Sequence, residues 1–216
     1  HKLSTDAEKT ALVKRVGEKI QVAVTDYFNK NNLSKELDGY AWEFNLVEDP
    51  QVNAWCMPGG KIVVYTGLLP ITQTETALAI VMGHEISHAL AHHGNERMSQ
   101  QMIAQGIGVA GGVLTSGNAQ TSAIFNNVYA PTAQVGVLLP NSRKQELEAD
   151  KYGLIFAAMA GYNPQEAIAF WERMAKAGSG QKPPEFLSTH PADETRIQKL
   201  RELMPEALTY YKPTGK

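Results

Sequence analysis

The sequence predicts an α+β domain that is mostly helical. Three observations lead there: apolar residues at helical spacing near the start, a short stretch alternating at period two, and a return to helical spacing from residue 72 onward. Leu12, Val13, Val16, Ile20, Val24, Tyr27 and Phe28 share one helical face, which gives an amphipathic helix over 5–30. Tyr40, Trp42, Phe44 and Leu46 then alternate, and VNAWCM and KIVVYTGLL flank Pro58-Gly59-Gly60. Alternation broken by a Pro-Gly turn is the pattern of paired strands, so 40–69 reads as a small antiparallel sheet of about three strands.

Thr72 with Glu75 fits a capping box, and Gly94 stands where a helix would stop, so one helix is expected over 73–93. Residues 115–142 carry Ser, Asn, Thr, Gly and Pro without a sustained period, which predicts a long functional loop, read as a lid. Helical spacing resumes over 142–160 and ends at Gly161. Asn163-Pro164 opens the C-terminal helices of 163–204, the last of them starting at Pro191. No repeat or linker separates two halves, so 1–216 is expected to be one domain.

Bulk properties remove several functional classes. A net charge of −2 gives no basic field for nucleic acid, and none is expected as a partner. The single cysteine, Cys56, rules out an internal disulfide and a cysteine-rich zinc finger. No apolar run reaches the ~18 residues of a membrane-crossing helix. Residues 106–111, GIGVAG, match a dinucleotide fingerprint, but they follow a polar helical segment rather than a strand, so they read as close packing of small residues.

The chemistry lies in VMGHEISHALAHHGNER, residues 81–97. His84 and His88 stand at i and i+4, about 6 Å apart along one helix face, so both imidazoles can reach one zinc ion. Glu85, about 100° round the helix, can reach a water beside that ion without binding it. His92 continues the face but lies about 12 Å along the axis from His84, too far to share the ion, and His93 points elsewhere. His92 is therefore expected to be either a surface histidine or part of the cleft wall behind the ligands. Ala91 and Gly94 exclude the class of site with a further histidine a short way along the same segment.

The third ligand must come from another element, and Glu146, Glu148 and Asp150 in SRKQELEADKYG are the candidates. Glu146 and Asp150 share a helical face; Glu148 is about 200° away from Glu146. A ligating carboxylate one turn before a second carboxylate is a sensible pairing, because the second can accept the outer N–H of a zinc-bound histidine and fix its tautomer.

NAWCMPGGKIVVYTGLL, HEISH, SRKQELEAD and LSTHPADETRIQKL, taken in order, resemble the HtpX and CAAX-prenyl-protease family of zinc metallopeptidases (metallopeptidase family forty-eight) over roughly 50–203. Cys56-Met57 before the PGG turn is most similar to its soluble bacterial periplasmic members. The resemblance implies a zincin-like fold of the gluzincin type, with the small sheet beside the HExxH helix and one Zn²⁺ per chain. It implies His84, His88 and Glu146 as ligands, Glu85 as general base, and Asp150 behind a ligand histidine. His190, in Ser188-Thr189-His190-Pro191, is expected either to stabilise the oxyanion or to occupy the open zinc position at rest. Arg143 and Arg196 are expected to pin these segments by salt bridges, and strand 61–66 to offer its edge to extended polypeptide substrates.

The implied activity is endopeptidase cleavage of unfolded or misassembled envelope proteins in the bacterial periplasm. A lipid anchor outside the sequence and an envelope protein partner belong to the same expectation. The alternative is a zinc-stabilised, chaperone-like binding module with latent or no peptidase activity.

Overall fold

The computed structural model describes residues 2–96, 139–180 and 184–213. Helix α1, Ala7–Lys30, starts at Asp6, whose side chain accepts from the Lys9 N–H, and buries Val13, Val16, Ile20, Ala23 and Val24 along one stripe. Gly17 in that stripe is a packing requirement, since a Cβ there would run into the Phe44 ring. Its absence lets α1 lie against strand β1, Glu43–Val47.

Strands β2, Ala54–Met57, and β3, Lys61–Tyr65, form a hairpin through Gly59 and Gly60, which hold φ of 89° and 90°. The strand order is β1-β3-β2, with β3 antiparallel to β2 but parallel to β1. The expected antiparallel sheet is thus a mixed one. Side-chain alternation reports which face is buried and carries no information about strand direction.

The order also corrects the expected substrate edge. Strand β3 is central, its last four residues all buried, and bonded on both sides. The outer edge of β1 pairs with the N-terminal segment through Ser4 N–H to Leu46 O and Glu48 N–H to Lys2 O, both 2.9 Å. Among the described residues no strand covers the outer edge of β2.

A short helix α2, Leu69–Thr72, breaks at Gln73, whose φ is 62°. Helix α3, Glu75–Leu90, is capped by Thr74, whose hydroxyl accepts from the Ala77 N–H at 3.0 Å. Capping therefore falls two residues beyond the expected Thr72. At the other end Ala91 is the C-cap and His92 takes a positive φ of 56°, so α3 stops short of Gly94. Between these limits α3 is buried nearly all round, from Ala77 to Ser87, and forms the centre of the core.

Helices α4, Leu139–Met159, and α5, Glu166–Gly178, are followed by a single turn α6, Phe186–Thr189, and by α7, Glu194–Tyr210. Helix α7 begins at Glu194, capped by Asp193, three residues later than the expected Pro191, and runs past 204. Val13, Ile20, Leu78, Met82, Phe156, Phe170, Trp171 and Phe186 belong to one core cluster. The fold is α+β and mostly helical, as the sequence predicts. No described helix is long and apolar enough to cross a membrane.

By contacts the chain falls into two compact units, residues 1–91 with 147–216, and residues 92–146. In the second, Gln145 donates to Glu96 at 2.8 Å. The expected lid, 115–142, lies outside the described residues except for its last four, which belong to α4. The GIGVAG stretch also lies outside them.

The first turn of α3 is fastened by Glu75. Its carboxylate meets Arg15 at 2.7 Å and Lys19 at 3.4 Å and accepts from the Tyr162 hydroxyl at 2.6 Å. The Arg15 hydrogen bond, with help from Tyr162 and Lys19, outweighs partial desolvation and lowers the Glu75 pKa to about 2. A depressed carboxyl pKa stabilises the fold above its unfolded value and ceases to as pH falls through the folded one. Allowing for solvent screening, Glu75→Gln should cost about 2 kcal/mol at pH 7. In urea unfolding, that gap between variant and wild type should close as pH drops from 4.5 towards 2.

Candidate metal centre

Helix α3 delivers His84, Glu85 and His88 by its own periodicity, and its burial sets their environment. His84 and Glu85 are 2% and 4% exposed, while His88 is half-buried. The Nε2 atoms of His84 and His88 stand 3.1 Å apart, and the Nδ1 of His190 lies 3.2 Å from the Nε2 of His84. Glu146 joins them: the ligand atoms of His84, His88, Glu146 and His190 all lie within 4.8 Å of one another.

This donor set fits zinc. Two nitrogens bound to one tetrahedral zinc at about 2.0–2.1 Å stand about 3.3 Å apart, close to the spacing of these imidazoles. Nitrogen and carboxylate oxygen are also the donors that zinc accepts, with a thiolate the other common choice. Cys56 does not offer one readily, because burial, with Glu85 adding to it, pushes its thiol pKa well up.

Glu146 and Asp150 share a face of α4, as their spacing predicts, and Asp150 stands 3.0 Å from the Nδ1 of His84. The imidazole must donate there, so the proton sits on Nδ1 and the Nε2 lone pair faces the other ligand atoms. Arg196 grips the same carboxylate with two nitrogens, Nε to Oδ2 at 2.9 Å and Nη2 to Oδ1 at 2.7 Å. Desolvation acts to raise the Asp150 pKa, but Arg196 and His84 outweigh it and hold the carboxyl below its ordinary value.

What allows α3 and α4 to meet this closely is a pair of glycines. A Cβ on Gly153 would stand 2.8 Å from the His84 nitrogen, and one on Gly83 would stand 2.9 Å from the Gly153 carbonyl oxygen. Real Cβ atoms do not come so near to backbone, so any side chain at either position forces the helices apart. The signal in the sequence was a glycine inside each of two otherwise strong helical patterns, a position where glycine weakens a helix and needs a packing reason.

His190 enters from the end of α6. Its N–H donates to Phe186 O at 2.9 Å, its ring lies 4.5 Å from the Phe186 ring, and its Nε2 is 3.4 Å from Glu85. Trp171, which the sequence reading did not single out, touches three of these groups. Its ring lies 6.0 Å from His84 and 5.9 Å from Phe186, and the Arg196 guanidinium covers its face at 3.5 Å.

The remaining candidates are exposed. His92 is exposed beyond the end of α3, since the chain leaves helical geometry there. Arg143 and Glu148 are exposed on α4. Of the two arginines expected to pin the segments, Arg196 is the one built into the site.

Outer hydrogen-bond partners of metal ligands typically govern affinity by 10- to 100-fold, roughly, when removed. Asp150→Asn is accordingly expected to weaken zinc retention against a chelator by about that factor. Gly153→Ala should weaken it as well, by displacing the helix backbone rather than the charge. Unchanged zinc affinity in Gly153→Ala would contradict the helix-crossing requirement.

Comparison with known proteins places this arrangement in a family. Peptidase family M48 matches residues 14–204. The mitochondrial metalloendopeptidase OMA1 of Saccharomyces cerevisiae is 34% identical over 199 residues, covering 89% of this chain and 54% of that protein. Its namesake in Schizosaccharomyces pombe is 38% identical over 167 residues, covering 77% of this chain and 48% of that protein. The beta-barrel assembly-enhancing protease of Escherichia coli is 30% identical over 166 residues, covering 74% and 34% respectively. The chain thus spans about half the length of the first relatives it matches. The expected bacterial periplasmic location is overturned, because the relatives with higher identity are mitochondrial proteins. The family is zinc-dependent, and the residues for one ion are in place. By the match across 14–204 and the likeness to these metalloendopeptidases, the chain belongs to peptidase family M48.

Proposed function

We propose that this chain is a zinc-dependent endopeptidase domain, 1–216, that cleaves unfolded or misassembled proteins and rests in a state closed by His190. The observation that carries the reading is the convergence of His84, His88 and Glu146, with Glu85 beside them on the same helix. In this reading those three residues hold the ion. When bound, Zn²⁺ acidifies water to a pKa near 7 and polarises a peptide carbonyl.

Everything else falls to the chain's own groups. Glu85 takes a proton from the attacking water and passes it to the leaving amine nitrogen, general acid–base help worth roughly 10²–10⁴-fold. Its burial and its place one residue after a ligand hold it at the reacting atoms. Asp150 keeps the His84 Nε2 lone pair directed at the ion. His190 has its Nδ1 3.2 Å from the His84 Nε2 and its Nε2 3.4 Å from Glu85, so in this reading it fills the space that a substrate carbonyl needs. Moved aside, its imidazole is placed to donate to the developing oxyanion.

The edge of β2 that no described strand covers, on a strand packed against α3, is the proposed rail for an extended chain. Main-chain bonds to such an edge tolerate many sequences and select for unfolded segments. Substrates among envelope proteins are proposed from the relatives named beta-barrel assembly-enhancing protease. The lipid anchor outside this sequence and the envelope protein partner rest on the original resemblance alone. Roles for His92 in the cleft wall and Arg143 in pinning α4 belong to the same proposal.

A second reading, a zinc-stabilised binding module, is favoured by one observation: His190 completes a four-residue group, and closed four-ligand sites are usually structural. His190→Ala separates the readings. Casein cleavage should rise if His190 closes a latent active site and fall if its main role is the oxyanion. Absence of cleavage before and after the change would favour the binding module.

Glu85→Gln should keep one zinc per chain and lose at least about 10²-fold in casein cleavage. Retained cleavage, or loss of the metal, would remove Glu85 from its proposed role. Glu146→Ala should abolish zinc binding, and Glu148→Ala should leave metal and activity close to wild type. The reverse pattern would reassign the third ligand.

A further inference from the structure

Arg196 makes more contacts than a salt bridge needs. Its Nε and Nη2 take both oxygens of Asp150, its Nη1 donates to the Pro191 carbonyl at 3.0 Å, and its plane lies on Trp171 at 3.5 Å. Its Nη2 also stands 3.5 Å from the His84 Nδ1. Both of these groups are donors once Nδ1 carries a proton, so they converge on Asp150 rather than on each other. The side chain is 5% exposed.

Pro191 is the residue that follows His190. One rigid guanidinium therefore joins two parts of the site that are far apart in the chain. One arm holds Asp150, which orients His84; the other holds the backbone that carries His190. Its plane cannot tilt to favour one arm without disturbing the other, because Trp171 fixes it. A buried ion pair is weak evidence for added stability, whereas a bidentate, stacked arginine gives geometric specificity that a lysine cannot reproduce. A lysine nitrogen could reach the carboxylate or the carbonyl, but not both while covering the indole.

We infer that Arg196 is a positioning residue that couples the orientation of His84 to the placement of His190 beside it. The inference rests on the metallopeptidase reading above, with His190 occupying the fourth ligand position at rest. With the guanidinium in place, the His190 segment is held against the centre. Any event that frees Pro191 from Arg196 also loosens the grip on Asp150, so the closed state is entered and left as a unit.

The test is a double-substitution cycle on the intact chain, read by zinc transfer to a chromophoric chelator and by the visible spectrum of the cobalt-substituted protein. Arg196→Lys should stay folded by near-ultraviolet circular dichroism and lose about 10- to 100-fold in zinc affinity. Its cobalt spectrum should shift towards that of His190→Ala. In the His190→Ala background, Arg196→Lys should cost a distinctly smaller factor, because the Pro191 arm then has no imidazole to place. Trp171→Phe removes the indole while keeping the Arg196 bonds to Asp150 and Pro191, and should lose affinity in the same direction by a smaller factor; it serves if the lysine variant unfolds. Equal losses with and without His190, or a cobalt spectrum unchanged by Arg196→Lys or Trp171→Phe, would overturn the coupling. Failure of the wild-type chain to bind one zinc would instead overturn the reading on which it rests.

Discussion

Two helices distant in sequence must touch backbone to backbone for any of this chemistry to assemble, and the contact of Gly83 with Gly153 is where they do so. One residue from that crossing stands His84; three residues from it, one turn of helix nearly, stands Asp150, which accepts a hydrogen bond from the His84 Nδ1–H at 3.0 Å. A side chain at either glycine would push the ligand face of α3 away from α4. The cost of glycine inside two helices, roughly 1 kcal/mol each, is therefore accepted for geometry. The rest of the first unit is arranged to hold α3 still: Glu75 ties its first turn to α1 and to Tyr162, and the core encloses it from Ala77 to Ser87.

Into that apolar surround the fold places Glu85, Asp150, Arg196, His84 and His190, each less than a tenth exposed. Isolated, any one of them would be expensive to bury. Here the charges answer one another. Arg196 neutralises Asp150, Asp150 receives His84, and the His84 Nε2 is left facing the other ligand atoms. The aromatic rings of Trp171 and Phe186 close the apolar side of the network without adding charge. Such an arrangement favours one geometry over many, which is what a site that must place an ion and a base within a few ångströms requires.

Local periodicity made the centre of this site readable. The i, i+4 spacing of His84 with His88, and of Glu146 with Asp150, needs nothing beyond a helix, and the structure brings all of these residues together. The features that escaped depend on tertiary context. Alternation along Phe44–Leu46 says which side of the strand is buried but not whether its neighbour runs parallel, so the sheet was read as antiparallel. KIVVY was read as a free edge, although a continuous apolar run is equally the mark of a central strand buried on both faces. The end of α3 was set at Gly94 by residue type, whereas His92 took the left-handed conformation two residues earlier. Compartment was not legible: the periplasmic expectation rested on similarity of a few residues around Cys56, and the likeness to relatives named as mitochondrial overturned it.

What surrounds the ion decides whether His190 closes the centre. X-ray absorption at the zinc edge of the wild-type chain, loaded with one equivalent, reads the ligands directly. The proposed resting centre predicts four nitrogen or oxygen neighbours at about 2.0–2.1 Å, with outer-atom scattering from three imidazole rings. Scattering from only two imidazoles would remove His190 from the resting centre and with it the closed state. A sulfur neighbour at about 2.3 Å would draw Cys56 into the site and contradict the assignment of Glu146 and His190 altogether.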